Sequence, residues 1–268
     1  MNQLIQTAKE IRRLTFECIA SFGSGHIGGS LSIVDVLTVL YFDQMNIDPK
    51  NPKKENRDRL IVSKGHAGPA VYATLAHKGY FDKKELYTLN KIGTNLPSHC
   101  DMNKVPGVDM TTGSLGQGLS CAVGCAVASK IKKDGAYIYA IIGDGESQEG
   151  QIWEACMFAS NKKLDNLIVF LDYNHCQIDG TIDQVVDCGH FEERFKSFGF
   201  DTYSIDGHNL QEIKDTIIKA KQVVGKPHMI ILNTIKGKGV SYVEAMGVKN
   251  HSIPISKEDL EKALEELK

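Results

Sequence analysis

The chain has 268 residues, of which 42% are hydrophobic and 24% charged, and its formal net charge is −2. This length allows a large core, and the near-neutral charge gives no reason to expect nucleic acid or a membrane surface as a partner. Seven cysteines without CxxC spacing argue against a disulfide framework or a zinc site. The N-terminus lacks a signal-peptide core, and no apolar run approaches the roughly 20 residues of a membrane helix. We therefore expect a cytoplasmic protein.

The first half of the chain combines predicted helices with glycine-marked loops. Apolar residues at helical spacing predict an opening amphipathic helix from Leu4 to Ile19. The glycines of SFGSGHIGGS predict a loop after it. The remaining predictions for this half are helices at 32–45, 71–77 and 83–91, a strand at 59–63, and a loop at 93–113. A loop of that length inside a compact domain is usually functional.

Strands and helices alternate in the second half. Apolar runs predict strands at 136–142, 166–172, 201–205 and 228–235, and helical spacing predicts helices at 115–131, 148–161, 191–198 and 210–223. Ser256 and Asp259 predict a capped C-terminal helix. Continuous apolar strands that alternate with helices indicate an α/β fold with a mostly parallel sheet covered on both faces. We take residues 1–268 as a single domain.

Polar groups follow two neighbouring strands of the predicted sheet. In open parallel sheets, ligands bind beyond the carboxyl ends of the strands, where Gly143-Asp144-Gly145 lies. Glycines and free amides at a helix start suit an anion, so an aspartate fits there only with a divalent cation in between. Asn174 offers a side-chain oxygen and Cys176 a backbone carbonyl after the next strand, and both suit a hard cation. The pattern predicts a metal that bridges a diphosphate.

This pairing of a GDG segment with an asparagine after the next strand resembles the thiamine-diphosphate-binding motif. Tyr173 stands where the family often has Asn or Asp, at a position that does not bind the metal. Further segments resemble transketolase in the same order: SGHIGGSLS (24–32), NRDRLIVSKGHAGPAVYA (56–73), LPSHCDMNKVPGVDMTTGSLGQGLSCAVG (96–124), GDGESQEGQIWEA (143–155), IDGHN (205–209) and IKGKGVSYVE (235–244). The resemblance covers only the diphosphate-binding portion of that family, so it implies the first subunit of a split transketolase.

The resemblance also implies how the cofactor binds. The metal ligands named above would hold Mg²⁺ or Ca²⁺, and Asn174 would also contact thiamine diphosphate. His66 in SKGHA and the backbone of Gly145 would contact its diphosphate. Leu115 and Gly116 in GSLGQG match the segment that lies along the cofactor in the family.

Three histidines acquire catalytic roles through the same resemblance. His26 would handle the C3 hydroxyl of the donor sugar, and His99 would bond its C1 hydroxyl. His251 would face both cofactor and substrate, although Ser252 follows it where the family usually has glycine. Histidine suits proton transfer on sugar hydroxyls near neutral pH. The remaining histidines are expected to be structural or to lack a catalytic role: His77, His175, His190, His208 and His228.

The family places the carboxylate that activates thiamine on a pyrimidine-binding domain. About thirty residues follow Ile235, too few for such a domain, so we expect the chain to be inactive alone. Its partner would be a C-terminal transketolase subunit with the pyrimidine-binding and C-terminal domains. Glu149 resembles the family's glutamate at the subunit interface, and the face with Gly116, Gly118 and Glu149 would join the partner and a second copy in an α₂β₂ assembly.

The substrates and several alternatives stay open at this point. Ketose and aldose phosphates of the pentose phosphate pathway follow from the family alone, and a modified sugar is an alternative. The chain could also belong to 1-deoxyxylulose-5-phosphate synthase or to a 2-oxo acid dehydrogenase α subunit, although SKGHA and TTGSLGQG favour transketolase. A non-catalytic cofactor-binding subunit is the alternative from another class, and cofactor binding by the partner complex would discriminate.

Overall fold

A computed structural model describes residues 1–268. Its centre is a five-stranded parallel sheet in the order β2-β3-β4-β6-β5, and β1 and β7 form a separate antiparallel pair. The strands are β1 Ser24–Gly25, β2 Arg59–Val62, β3 Ile138–Gly143, β4 Leu167–Tyr173, β5 Asp201–Asp206, β6 His228–Asn233 and β7 Ile253–Pro254. The α/β fold expected from the sequence is confirmed.

Eleven α-helices surround the strands. They are α1 Asn2–Phe22, α2 Ile27–Leu31, α3 Val34–Val39, α4 Gly68–Lys78, α5 Gln117–Lys132, α6 Gly150–Asn161, α7 Ile182–Val185, α8 Phe191–Ser197, α9 Leu210–Ala220, α10 Ser241–Ala245 and α11 Lys257–Glu266. Ser256 and Asp259 form the expected capping box at the start of α11. None of the helices combines the length and the apolar character needed to cross a membrane.

The sheet is buried on both faces because its three central strands, β3, β4 and β6, are apolar at most positions. Along β3, Tyr139 and Ile141 belong to one hydrophobic cluster, while Ile138, Ala140 and Ile142 belong to another. The first cluster packs the sheet against α1, α3, α4 and α9, and the second packs it against α5, α6 and α8. Side chains that alternate between two cores are expected of a parallel sheet between helical layers.

The glycine-rich segment after α1 differs from the expected loop, because α2 runs through it. A Cβ on Gly28 would lie 2.1 Å from Asn250 Oδ1, and one on Gly29 would lie 3.2 Å from His66 Nε2. These glycines therefore permit close packing rather than a turn. The helix predicted at 32–45 consists of α3 and a π-helical turn at Leu40–Gln44.

Other elements differ in detail from the sequence prediction. The helix expected at 83–91 is a 3₁₀ helix at Lys83–Thr88, and α5 begins two residues after Leu115. The short β1–β7 pair was not predicted, since two-residue strands carry no periodicity. The expected loop at 93–113 is confirmed, and the paired register of Gly143 and Asp172 brings the ends of β3 and β4 to one edge.

Candidate active site

A cavity of about 350 Å³ opens beyond the carboxyl ends of β2, β3 and β4. It collects nearly all site residues that the sequence analysis named. Its lining includes His26, His66, His99, Leu115, Asp144, Gly145, Glu149, Asn174, Cys176 and His251. Residues up to 225 positions apart in the chain thus meet because parallel strands end at the same edge of the sheet.

Asp144 is a buried carboxylate without a cationic partner. Its side chain accepts hydrogen bonds from the backbone amides of Gly145 (2.8 Å) and His175 (2.6 Å) and forms no salt bridge. Burial, followed by the nearby charge of Asp172, raises the pKa of Asp144 to about 7. A carboxylate in such surroundings gains from a cation beside it.

The oxygen atoms next to Asp144 come from the loop after β4. Asn174 donates its amide hydrogen to Asp172 (2.8 Å), and its Oδ1 accepts from the Cys176 amide (3.2 Å), which together assign the orientation of the amide. The Cys176 carbonyl lies 3.3 Å from Lys236 Nζ. No cluster of three or more His, Cys, Asp or Glu side chains is arranged to hold a metal. The predicted set instead offers one carboxylate, one amide oxygen and one carbonyl.

Asp172, which the sequence analysis did not single out, organises the floor of the site. Its carboxylate accepts hydrogen bonds from Ser32, Lys64, Asn174 and Thr234, which lie on four different segments. Burial raises the pKa of Asp172, but the Lys64 ammonium and these hydrogen bonds outweigh that effect and hold the pKa below its usual value. The signal available in the sequence was Asp172-Tyr173, a polar pair at the end of the otherwise apolar strand β4.

Lys236 is a second residue that sequence reasoning missed. Its side chain is 4% exposed, its Nζ lies 3.4 Å from His251 Nδ1, and no carboxylate lies within salt-bridge distance. Burial lowers the pKa of Lys236. A buried ammonium without a counter-ion is costly unless an anion binds beside it. The glycines of IKGKG, with Gly237 and Gly239 at positive φ, marked this loop in the sequence.

Glu146 joins two of the glycine segments that line the cavity. Its carboxylate accepts hydrogen bonds from the backbone amides of Gly116 (2.8 Å) and Gly143 (3.0 Å) and from the Ser63 hydroxyl. Burial raises the pKa of Glu146. Within the sequence this glutamate resembles an ordinary residue at a helix start, so its long-range partners gave no local signal.

Four histidines gather at the mouth of the cavity. The ring centroid of His26 lies 5.4 Å from that of His66, 5.5 Å from that of His99 and 5.3 Å from that of His251. Burial lowers the pKa of all four, with a further contribution from Lys236 for His26 and His251, and brings the pKa of His251 to about 4. The rings are therefore neutral near pH 7, and each has a nitrogen that can accept a proton.

The glycine segment at the start of α5 contains Leu115 and Gly116, which were expected beside the cofactor, and Gly118, which was expected at an interface. Leu115 is 40% exposed at the cavity, and Gly116 has a φ of 87° beside Glu149, which is exposed. Gly118 is buried within the chain, and its assignment to an interface face stays a prediction. A Cβ on Gly118 would lie 2.6 Å from Ser63 Cβ, so this glycine lets α5 pack against the end of β2.

The histidines expected to have structural roles lie outside the cavity lining. His228 is fully buried, with Nδ1 3.1 Å from Asp201 Oδ2. His175 takes a positive φ of 64° and contributes only its backbone amide to Asp144. His208 bridges Asp35 and the backbone of Ile235.

Together these features define an α/β domain with a cavity at the carboxyl edge of its sheet, where a buried carboxylate without a cation, a buried lysine and four neighbouring histidines meet. The family model described as transketolase, thiamine diphosphate binding domain, matches residues 4–267. The chain belongs to the transketolase family and carries its thiamine diphosphate binding domain. The resemblance found in the sequence motifs is confirmed, and the other thiamine enzymes are not favoured.

Individual relatives agree with this membership. The chain is 54% identical to the 6-deoxy-6-sulfo-D-fructose transketolase subunit SqwG of a Clostridium species (strain MSTE9), over 97% of this chain and 94% of the relative. It is 40% identical to an apulose-4-phosphate transketolase subunit from Phocaeicola vulgatus, over 98% of this chain and 92% of the relative.

Solved transketolases share the fold. The Campylobacter jejuni enzyme superposes with a TM-score of 0.91 at 34% identity, and the Leishmania mexicana enzyme with 0.92 at 29%. Each match covers at least 98% of this chain, but only 43% and 41% of those enzymes. The chain thus spans about two-fifths of the length of these solved transketolases.

Proposed function

We propose that this chain is the cofactor-binding subunit of a split transketolase, which transfers a two-carbon ketol unit from a ketose to an aldose. The observation that carries the proposal is a contrast in coverage. Relatives named as transketolase subunits match over 92–96% of their length, whereas solved transketolases match over 41–43%. On this proposal, residues 1–268 form one thiamine diphosphate domain.

The metal in this proposal is Mg²⁺ or Ca²⁺, held by the Asp144 carboxylate, Asn174 Oδ1 and the Cys176 carbonyl. The donors fit because hard divalent cations prefer oxygen ligands. The buried Asp144 charge also lacks another cation. Lys236, the imidazole of His66 and the Gly145 segment would bind the diphosphate.

Thiamine diphosphate, when bound, would supply a nucleophilic carbon for the two-carbon transfer. The protein must then move protons on sugar hydroxyls, and the neutral rings of His26 and His99 can accept them at Nδ1 or Nε2. His251 faces the same space and would orient cofactor and substrate. Leu115 and Gly116 would lie along the cofactor and exclude water from it.

The donor sugar in this proposal carries an anionic group distant from its carbonyl. Ketose phosphates are the first candidates because they are the substrates expected from the family. A sulfonated ketose is the second candidate, favoured by 54% identity to a relative named for 6-deoxy-6-sulfo-D-fructose, against 40% for one named for apulose 4-phosphate.

The proposed partner is a C-terminal subunit that contains the pyrimidine-binding and C-terminal domains. Glu149 is exposed beside the cavity, where it can meet such a subunit. Homo-oligomeric interfaces usually close with twofold symmetry, so two copies of each subunit would form an α₂β₂ enzyme.

The test assays two-carbon transfer with saturating thiamine diphosphate and Mg²⁺, with ketose phosphates and 6-deoxy-6-sulfofructose as separate donors. We expect no turnover by the purified chain and turnover after the C-terminal subunit is added. Size-exclusion chromatography with light scattering would give the stoichiometry. Full activity of the chain alone would refute the split-enzyme proposal.

A further inference from the structure

His208, in the segment IDGHN, lies outside the cavity, yet both of its ring nitrogens are engaged. Nδ1 lies 2.8 Å from Asp35 Oδ2, and Nε2 lies 2.9 Å from the backbone nitrogen of Ile235. The side chain is only 13% exposed. The ring thus bridges α3 and the loop that follows β6.

The hydrogen-bond partners assign the tautomer of this ring. The Ile235 amide is a donor, so Nε2 must accept and carries no proton. The neutral ring therefore has its proton on Nδ1 and donates it to Asp35. Asp35 is itself fixed by Arg12 on α1, at 2.8 Å, and both side chains are buried. His208 consequently transmits the position of a rigid buried ion pair to Ile235.

The residue after Ile235 is Lys236, whose unpaired ammonium enters the cavity. Neighbouring amides of this loop are held by backbone groups, since Thr234 donates to the Tyr173 carbonyl and Gly237 to the Gly28 carbonyl. The Lys236 carbonyl accepts from the buried Asn250 side chain (2.9 Å), and His208 is the side chain that holds the Ile235 amide.

We infer that His208 is a positioning residue of the cofactor site: it holds the Ile235 backbone and thereby fixes Lys236 Nζ where the diphosphate binds. This inference rests on the proposed cofactor role of Lys236. It gives the IDGHN segment a function although none of its side chains touches the cavity.

Two substitutions separate the Ile235 contact from the Asp35 contact. Glutamine is long enough to place its amide oxygen at the position of Nε2. Asparagine reaches only the Nδ1 position, so His208→Asn keeps a donor for Asp35 and loses the acceptor for Ile235. The pair is therefore matched in chemistry and differs in reach.

The measurement is the Kd of thiamine diphosphate, by calorimetry with saturating Mg²⁺, for the complex that includes the C-terminal subunit. We expect His208→Asn to raise Kd about tenfold, the size of one lost hydrogen bond, with kcat at saturating cofactor unchanged. His208→Gln should bind within about twofold of the parent protein. Hydrogen exchange at the Ile235 amide should be faster in His208→Asn and unchanged in His208→Gln.

A double-mutant cycle with Lys236→Met separates positioning from general destabilisation. If His208 acts through Lys236, His208→Asn should cost less than about twofold in the Lys236→Met protein. A tenfold loss that persists in that background, or parent-like binding by His208→Asn, would overturn the inference. Failure of the parent complex to bind thiamine diphosphate or to transfer the ketol unit would instead count against the proposed function.

Discussion

The ends of β3 and β4 each present a buried aspartate to the same cavity floor, but their surroundings differ. Asp172 is fully buried, and four side chains donate to it, among them the ammonium of Lys64. Asp144 is 2% exposed and accepts only two backbone amides. The pKa of Asp172 is lowered, whereas that of Asp144 rises to about 7.

This difference separates a carboxylate that is neutralised by its own protein from one that has no cationic partner. A buried charge that meets a cation and satisfied donors belongs to the folded protein. A buried carboxylate that accepts two backbone amides but meets no cation is costly to ionise, and a cation beside it would stabilise its charged form. Asp172 therefore holds the segments together, and on the proposed function Asp144 would bind the metal.

The largest effect is expected for Asp172→Ala. The substitution leaves the Lys64 ammonium buried without a counter-ion, and loss of one partner of a buried pair costs about 3–5 kcal/mol of unfolding free energy. Urea denaturation of the cofactor-free protein measures this loss. Asp144→Ala is the matched control and should cost far less. Equal losses of unfolding free energy in the two variants would contradict the claim that Asp172 and Asp144 differ in their structural role.

The next effect concerns the histidines beyond the two carboxylates. His26→Ala and His99→Ala should lower turnover about 10²–10⁴-fold, as removal of a general acid–base group does, with little change in cofactor affinity. His66→Ala should instead weaken thiamine diphosphate binding. Rates measured against cofactor concentration separate the two outcomes, and the exposed His190 provides a control in His190→Ala. If His26→Ala mainly weakened cofactor binding, its role would be misassigned.

The smallest effect, counted per pH unit, is a pH dependence of the stability of the cofactor-free protein. Because the pKa of Asp144 is about 7 in the folded state against 3.8 normally, the folded state binds this proton more tightly than the unfolded state. This group therefore removes stability as pH rises from 4 to 7, by at most about 1.4 kcal/mol per pH unit. Asp144→Asn should flatten the slope in urea denaturation at several pH values. If the dependence of the unfolding free energy on pH were unchanged in Asp144→Asn, a group other than Asp144 would be responsible for it.

Local sequence patterns predicted the fold well, and they located the part of the site that lies in a recognisable motif. Apolar runs identified all five strands of the central sheet, and GDG with Asn174 located the carboxyl edge. The glycines at 28 and 29 predicted a loop, but their role is tertiary packing: a Cβ on Gly28 would overlap Asn250, and one on Gly29 would lie 3.2 Å from His66 Nε2.

Residues with long-range partners were the ones that sequence reasoning missed. Glu146 and Asp172 matter through contacts with segments up to 140 positions away, and no spacing rule reports such contacts. In the sequence, Lys236 resembles an ordinary surface lysine. In the structure it is buried without a counter-ion. Burial and pairing of charges depend on the whole fold, whereas turn and strand patterns are local.

The most direct test of the central claim, that Asp144 binds the metal for the diphosphate, is calorimetric titration of thiamine diphosphate into the assembled complex with Mg²⁺ and with a chelator. The parent protein should require Mg²⁺. Asp144→Ala should lose affinity by more than the roughly 10–100-fold that an outer hydrogen-bond partner contributes to a metal site, and Mg²⁺ should no longer help. Asp183→Ala, which removes an exposed carboxylate, should bind like the parent. Undiminished, Mg²⁺-dependent affinity in Asp144→Ala would contradict the account.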